Sequence, residues 1–423
     1  MATTPIPDTL AVETPAEQKS ISLSYIFLTF LKAGCLGFGG FMSLISVVES
    51  TVVKKKKLLK PEDMLDGISL ASLLPGPQAV NVVAYAGNKL KGTKGAITAA
   101  VAVIIPSFIL MVLLSYLYSK YGQLSQVTRF FHGFIPAIAA VILSVVWRMA
   151  KQTVKGWKEA GLVIISFLLL FFAPKEYQLY ITFSIVILFG FIGYFLFNDK
   201  TKQPETVITV QHKFPLAKVG ITLLFAAVLI ALGLSHPALD KNSYGNLVTT
   251  FSGLSLMLFG GGYVIIPMIQ HQIVDGFHWL NKNEFVDCIA FSQIMPGPIL
   301  IAAAFIGYKV KGFLGALLST IAIFGPPAVL MVVASQALDY FKKSTAAKAV
   351  MRGIRCGVIG MILIAVYVIL NAPPPRGINW HNIQEIWPTV IIFAGALLAL
   401  FRFNLDVVYI IPTAGLIGYF LYP

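Results

Sequence analysis

Long apolar stretches set the pattern of this chain, and its polar residues collect between them. Gly95–Tyr118, Gly133–Trp147 (with Phe130 and Phe131 just upstream), Tyr177–Phe197 and Val219–Leu234 contain no charged residue. About 18 or more such residues suffice for an α-helix to cross a bilayer. The pattern predicts membrane helices near 95–119, 129–149, 159–174, 177–197, 216–234 and 312–338. Two apolar runs are interrupted in the same unusual way, by "LLPGPQAVNVVAYAGNKLKG" at 73–92 and "IMPGPILIAAAFIGYKVKG" at 294–312. Proline has no amide donor, and glycine allows backbone angles other residues avoid. An unpaired backbone group in lipid costs several kcal/mol, so a break is stable only beside protein or a water-filled cavity.

Composition agrees with a polytopic, all-α membrane protein. Of 423 residues, 57% are hydrophobic and only 12% charged, where a soluble domain carries about 25% charged residues. Residues 1–20 are polar and rich in Pro and Thr. They read as a disordered cytosolic tail, without the short apolar core and cleavage site of a signal peptide. Cys35, Cys288 and Cys356 stand alone in apolar sequence and read as inert thiols. The net charge of +14 is explained by positive-inside loops and needs no nucleic-acid partner; the bilayer is the partner it implies.

The chain is one unit written twice. An offset of 221 carries Thr29-Phe30 onto Thr250-Phe251, Phe38-Gly39-Gly40 onto Phe259-Gly260-Gly261, Asp66 onto Asp287, and Pro75-Gly76-Pro77 onto Pro296-Gly297-Pro298. An offset of 220 then carries Lys89, Lys91 and Gly92 onto Lys309, Lys311 and Gly312, and Pro106 onto Pro326. Arg148, Lys151, Lys155 and Lys158 mark one cytosolic loop, as do Lys200 to Lys218 and Lys342 to Lys348. Tracing spans back from these loops places equivalent points of the two copies on opposite faces. The expected organisation is an N-terminal repeat at 21–198, a linker with a central helix at 199–242, and an inverted C-terminal repeat at 243–423. The N-terminus is then cytosolic and the C-terminus outside the plasma (inner) membrane. The lysines at 54–57 favour re-entrant hairpins over crossing segments in the first half.

Inverted repeats with discontinuous helices are the build of secondary transporters. A helix starting after each Pro-Gly-Pro would aim its free amides and positive dipole end at an anion. Gly76 and Gly297 would let a ligand approach the backbone, and Pro77 and Pro298 suit a first helical turn. Gly39, Gly40, Gly260, Gly261 and Gly262 offer further exposed amides. Gln78 and Asn81 face Ile299 and Ala302 in the second copy, which makes the first repeat the more polar side. Ser72, Ser292 and Gln293 flank the breaks.

"GFGG…LASLLPGP" followed by "FGGG…AFSQIMPGP" resembles the two-domain bacterial type of the chromate ion transporter family, from about Ser22 to the last span. The resemblance implies chromate export, thirteen membrane segments and oppositely oriented halves. It carries the motif positions Phe38, Gly39, Gly40, Pro75, Gly76 and Pro77, with Phe259, Gly260, Gly261, Pro296, Gly297 and Pro298. Thirteen segments require the glycine-rich and Pro-Gly-Pro segments to cross, against the hairpin reading.

Charges near the breaks add candidates. Lys32, inside the first apolar segment, is read as facing the substrate. Asp66, Asp287 and Glu49 are candidates for proton coupling, with helix capping as the alternative for the two aspartates. Arg129 and Arg352 read as snorkelling; Arg355 lies deeper, and its role stays open between snorkelling and substrate contact. The sequence thus points to a secondary antiporter for chromate, with sulfate as a tetrahedral look-alike. A passive anion channel is the alternative. A metal-dependent membrane enzyme is remote, because no HExxH, GxSxG or P-loop is present. No cofactor or metal is expected, and a homodimer is compatible with the chain.

Overall fold

The computed structural model describes residues 21–38, 40–122, 125–174, 177–198, 242–258, 262, 265–336, 344–371 and 382–422. Gly39, Phe259, Gly260, Gly261 and the expected central span at 216–234 lie outside these residues. Every element among the described residues is helical.

The chain opens with two hairpins. Helix α1 (Leu23–Leu36), capped by the Ser22 hydroxyl, turns at Gly37–Gly40 into α2 (Phe41–Glu49), which continues as a π-helical turn, Ser50–Lys55. Lys56 then lies beside the start of α1: its Nζ donates to Thr29 Oγ1 at 2.5 Å and sits 4.1 Å from the Tyr25 ring centre. Helix α3 (Pro61–Ala71) leads to the first Pro-Gly-Pro and into α4 (Gln78–Tyr121). Lys91 and Gly92 are non-helical and split α4 into a short first leg, 78–90, and a long second leg, 93–121. The short leg runs back along α3. Lys89 pairs with Asp63 at 3.5 Å, and a Cβ on Gly67 would meet the Tyr85 ring.

The legs of these hairpins are short. At about 1.5 Å per residue, the 14 residues of α1 span roughly 21 Å, short of the roughly 30 Å hydrocarbon layer. Both hairpins return to the end where they began. The first half thus carries paired short legs at both breaks, where the resemblance implies crossing segments and the lysine run implies re-entrant ones.

The remaining first-half helices are α5 (Ser125–His132), α6 (Phe134–Thr153), α7 (Trp157–Phe171) and α8 (Gln178–Phe197). The hairpin pattern then recurs. Helix α9 (Tyr244–Leu256) precedes α10 (Ile265–Ile269) with its π-turn Gln270–Gly276, then α11 (Lys282–Ile294), a 3-10 turn Ile299–Ile301, and α12 (Ala302–Ser335). The backbone repeats in detail: φ is 112° at Gly76 and 110° at Gly297, 58° at Gly92 and 62° at Gly312, 49° at Lys57 and 58° at His278. Lys309 pairs with Glu284 at 2.9 Å, as Lys89 does with Asp63.

Three helices complete the chain: α13 (Thr345–Leu370), α14 (Ile383–Arg402) and α15 (Val407–Leu421). Small residues let α13 pack closely on α7 and α8. Gly353 meets Gly193, and the Ser166 hydroxyl donates to the Gly357 carbonyl at 2.7 Å. Arg352 pairs with buried Glu159 at 2.6 Å. Among the described residues six helices are long and apolar enough to cross a membrane, and the molecule is an all-α polytopic membrane protein.

The two sets of hairpins meet tip to tip. The Gly76 N–H donates to the Leu258 carbonyl at 2.7 Å, and the Gly297 N–H donates to the Gly37 carbonyl at 2.8 Å. Gly37 and Leu258 are equivalent positions at the 221 offset, so the exchange is reciprocal. The long legs behave likewise. Tyr118, near the end of α4, donates from Oη to Asp287 Oδ2 at 2.6 Å, near the base of the second hairpins. Ser335, at the end of α12, accepts from Asn88 Nδ2 at 3.1 Å, near the base of the first.

Candidate anion site at the helix breaks

Each Pro-Gly-Pro corner is built for close approach of backbone to backbone. A Cβ on Gly76 would run into the Pro327 ring, and one on Gly297 would lie 2.9 Å from Ser107 Oγ. Ser107 and Pro327 are themselves equivalent at the 220 offset. The open side of each glycine thus faces the opposite half's long helix, and its N–H is engaged by the opposite tip. Asn81 is fully buried and donates from Nδ2 to the Pro75 carbonyl at 3.2 Å, bracing the corner. Its Oδ1 has no partner.

Beyond the corners the two halves differ. Helix α4 starts at Gln78 after Pro77 with no side-chain cap, and α2 starts after Gly40, at φ 89°, also uncapped. The first N–H groups of an α-helix have no partner within it. Gly40 and Gln78 line one cavity of about 220 Å³, together with Met42 and Ser72. Helix α6 contributes Arg148, Gln152 and Thr153, and α13 contributes Arg355. Val145, Met149 and Val407 form an apolar wall. In the second half the matching turn, Ile299–Ile301, is buried and apolar. A Cβ on half-buried Gly262 would touch Leu300 and Ile299 at 3.7 and 3.8 Å.

Arg355 is half-buried, and its Nη2 reaches the Ser72 carbonyl at 3.4 Å. Exposed Arg148 contacts Ser144 Oγ through Nη2 at 3.3 Å. Neither pairs with a carboxylate among the described residues, and no carboxylate lines the cavity. The chemistry this arrangement offers is reception of an anion: donors, positive dipole ends and two cations, with no competing negative charge.

The structure therefore brings Gly40, Gln78 and Ser72 together and adds four polar residues that sequence reasoning did not place in the site: Arg148, Gln152, Thr153 and Arg355. Arg148 had read as a loop charge. The signal for Arg355 was there, a cation deep in an apolar helix whose neighbour Arg352 takes the nearby glutamate. Other expected residues fall elsewhere. Lys32 is exposed on α1 and does not line the cavity. Phe38 is half-buried, Pro75 is half-buried, and Pro77, Pro296, Pro298 and Gln293 are buried at the junction. Glu49 is half-buried where α2 passes into its π-turn, Asp66 is half-buried, and Asp287 is buried against Tyr118.

Long apolar helices combined with interrupted hairpins that meet beside a polar cavity define a multi-pass membrane transporter. The chain belongs to the chromate transporter family, whose sequence profile matches residues 24–194 and 245–419. An uncharacterized transporter of Methanocaldococcus jannaschii is 30% identical over 80% of this chain and 82% of its own length. The chromate transport protein of Cupriavidus metallidurans is 27% identical over 99% of this chain and 98% of its own. A probable chromate transport protein of Synechococcus elongatus is 27% identical over 82% and 84%. No solved structure matches the chain.

Proposed function

We propose that this protein is a secondary active antiporter of the plasma membrane that exports chromate, built from two halves of inverted topology. Sulfate, a tetrahedral dianion of similar shape, is the expected competitor. One observation carries the reading: two uncapped helix N-termini, those of α2 and α4, open on a single cavity without a carboxylate. Such ends each present about half a positive charge and free donors. Inverted halves are supported by the reciprocal bonds between hairpin tips and between the ends of the long legs.

Direction follows from charge. Arg148, Lys151, Lys155 and Lys158 mark the end of α6 as cytosolic under the positive-inside rule, and the cavity lies at that end. The anion is thus received from the cytoplasm. Reciprocal bonding of the tips favours a carrier over a continuous pore, since passage requires the junction to open.

The test is chromate uptake into inverted membrane vesicles containing the wild-type protein. Concentrative uptake driven by a proton gradient, competed by excess sulfate, is the expected result. Uptake that only equilibrates and ignores the gradient would establish a channel, and no uptake beyond empty vesicles would end the transport reading.

A further inference from the structure

We propose that Arg148 and Arg355 select the charge of the anion, so that the cavity takes a tetrahedral dianion and rejects a tetrahedral monoanion of similar size. This rests on the transport reading and deepens it. Both guanidinium groups line the same cavity, and every other lining residue is neutral. Arg355 is held by a carbonyl, Ser72 O, and not by a carboxylate. Arg352, one turn earlier on α13, pairs with Glu159. Arg355 is left out of it.

A half-buried cation within a membrane helix is expensive unless it finds a counter-charge, and such residues mark ion pathways. Arg355 is that half-buried cation, and exposed Arg148 adds a second positive charge to the same cavity, so the two repel one another. A single negative charge leaves one guanidinium uncompensated; two negative charges satisfy both. Guanidinium forks suit oxyanions because they donate two parallel N–H bonds to paired oxygens. The arginines come from different halves of the chain, Arg148 from α6 and Arg355 from α13. The dianion would therefore bridge the halves and tie its binding to their relative position. Gln78, Gln152, Thr153 and the two helix ends are neutral or dipolar, so they would accept either charge class. Discrimination then falls to the arginine pair.

Competition against labelled chromate in inverted vesicles reads this directly. Sulfate and molybdate, both dianions, should compete at least about tenfold better than the monoanion perchlorate, since one charge-assisted hydrogen bond is worth about a factor of ten or more. Arg355→Gln and Arg148→Gln should each raise the KM for chromate by about tenfold and narrow the sulfate-to-perchlorate ratio towards one. Arg355→Lys, which keeps the charge and loses the fork, should keep most of the ratio while raising KM. Perchlorate competing as well as sulfate in the wild type would overturn the proposal. So would glutamine variants that transport with an unchanged ratio. Arg148 is exposed, so its variant should fold even if Arg355→Gln does not. If wild-type vesicles carry no chromate, the transport reading falls by itself. Calorimetric titration of the purified protein with sulfate and with perchlorate then decides the charge selection alone.

Discussion

Gly76 and Gly92 both hold positive φ, 112° and 58°, but for different reasons. At Gly92 an added Cβ would meet nothing within 4 Å, so only the left-handed backbone requires glycine. At Gly76 the Cβ would enter the Pro327 ring while the N–H is bound to Leu258. Gly92→Ala should therefore cost about 1–3 kcal/mol, because φ 58° with ψ −155° is a conformation essentially restricted to glycine. Gly76→Ala adds a steric clash of about 1–3 kcal/mol to a similar strain, and Gly297→Ala should follow it. Thermal unfolding in detergent checks the order: the corner variants should melt well below Gly92→Ala. Equal melting points would show that the tips do not bear on one another as described. The glycines of the corners were legible in the sequence, but their partner was not. Sequence reasoning assigned their open side to a ligand, and the opposite half's helix occupies it.

Among the elements, the Pro-Gly-Pro breaks were the most readable: each falls between two helical segments, where the sequence placed it. What the pattern lacked was any record of which long leg reaches which base. Tyr118 from α4 is hydrogen-bonded to buried Asp287 of α11, with Lys309 6.0 Å from the Tyr118 ring centre and paired with Glu284. A carboxylate joined to the other half in this way can report protonation to the junction. Of the coupling candidates, Asp287 is therefore preferred to Asp66 and Glu49, which are only half-buried. Asp287→Asn should flatten the pH profile of gradient-driven chromate uptake, while Asp66→Asn should leave it unchanged. Tyr118→Phe cuts this link to the other half, so its pH profile should differ from wild type. A Tyr118→Phe profile that coincides with wild type would remove Asp287 from coupling.

For the whole molecule, the sequence made the first repeat the more polar side, and the structure gives the two breaks different surroundings. Gln78 opens the first break to the cavity, whereas Ile299, Leu300 and Ile301 close the second with apolar side chains. That asymmetry was readable from Gln78 against Ile299. The meeting of Arg148 with Arg355 was not, because α6 and α13 lie far apart in the chain. Lys32, beside the first break in sequence, is exposed and does not line the cavity.

The central claim is that an oxyanion occupies the cavity between the breaks and enters from the cytosolic side. Met149 lines this cavity without contributing a polar group, so Met149→Cys in a Cys35→Ser background places a thiol there with little change to the charge. Its rate of labelling by a membrane-impermeant thiol reagent should be measured in inverted and right-side-out vesicles, with and without sulfate. Rapid labelling in inverted vesicles only, slowed by sulfate, is the predicted result. Labelling from the outer face alone, or at a rate indifferent to sulfate, would contradict it.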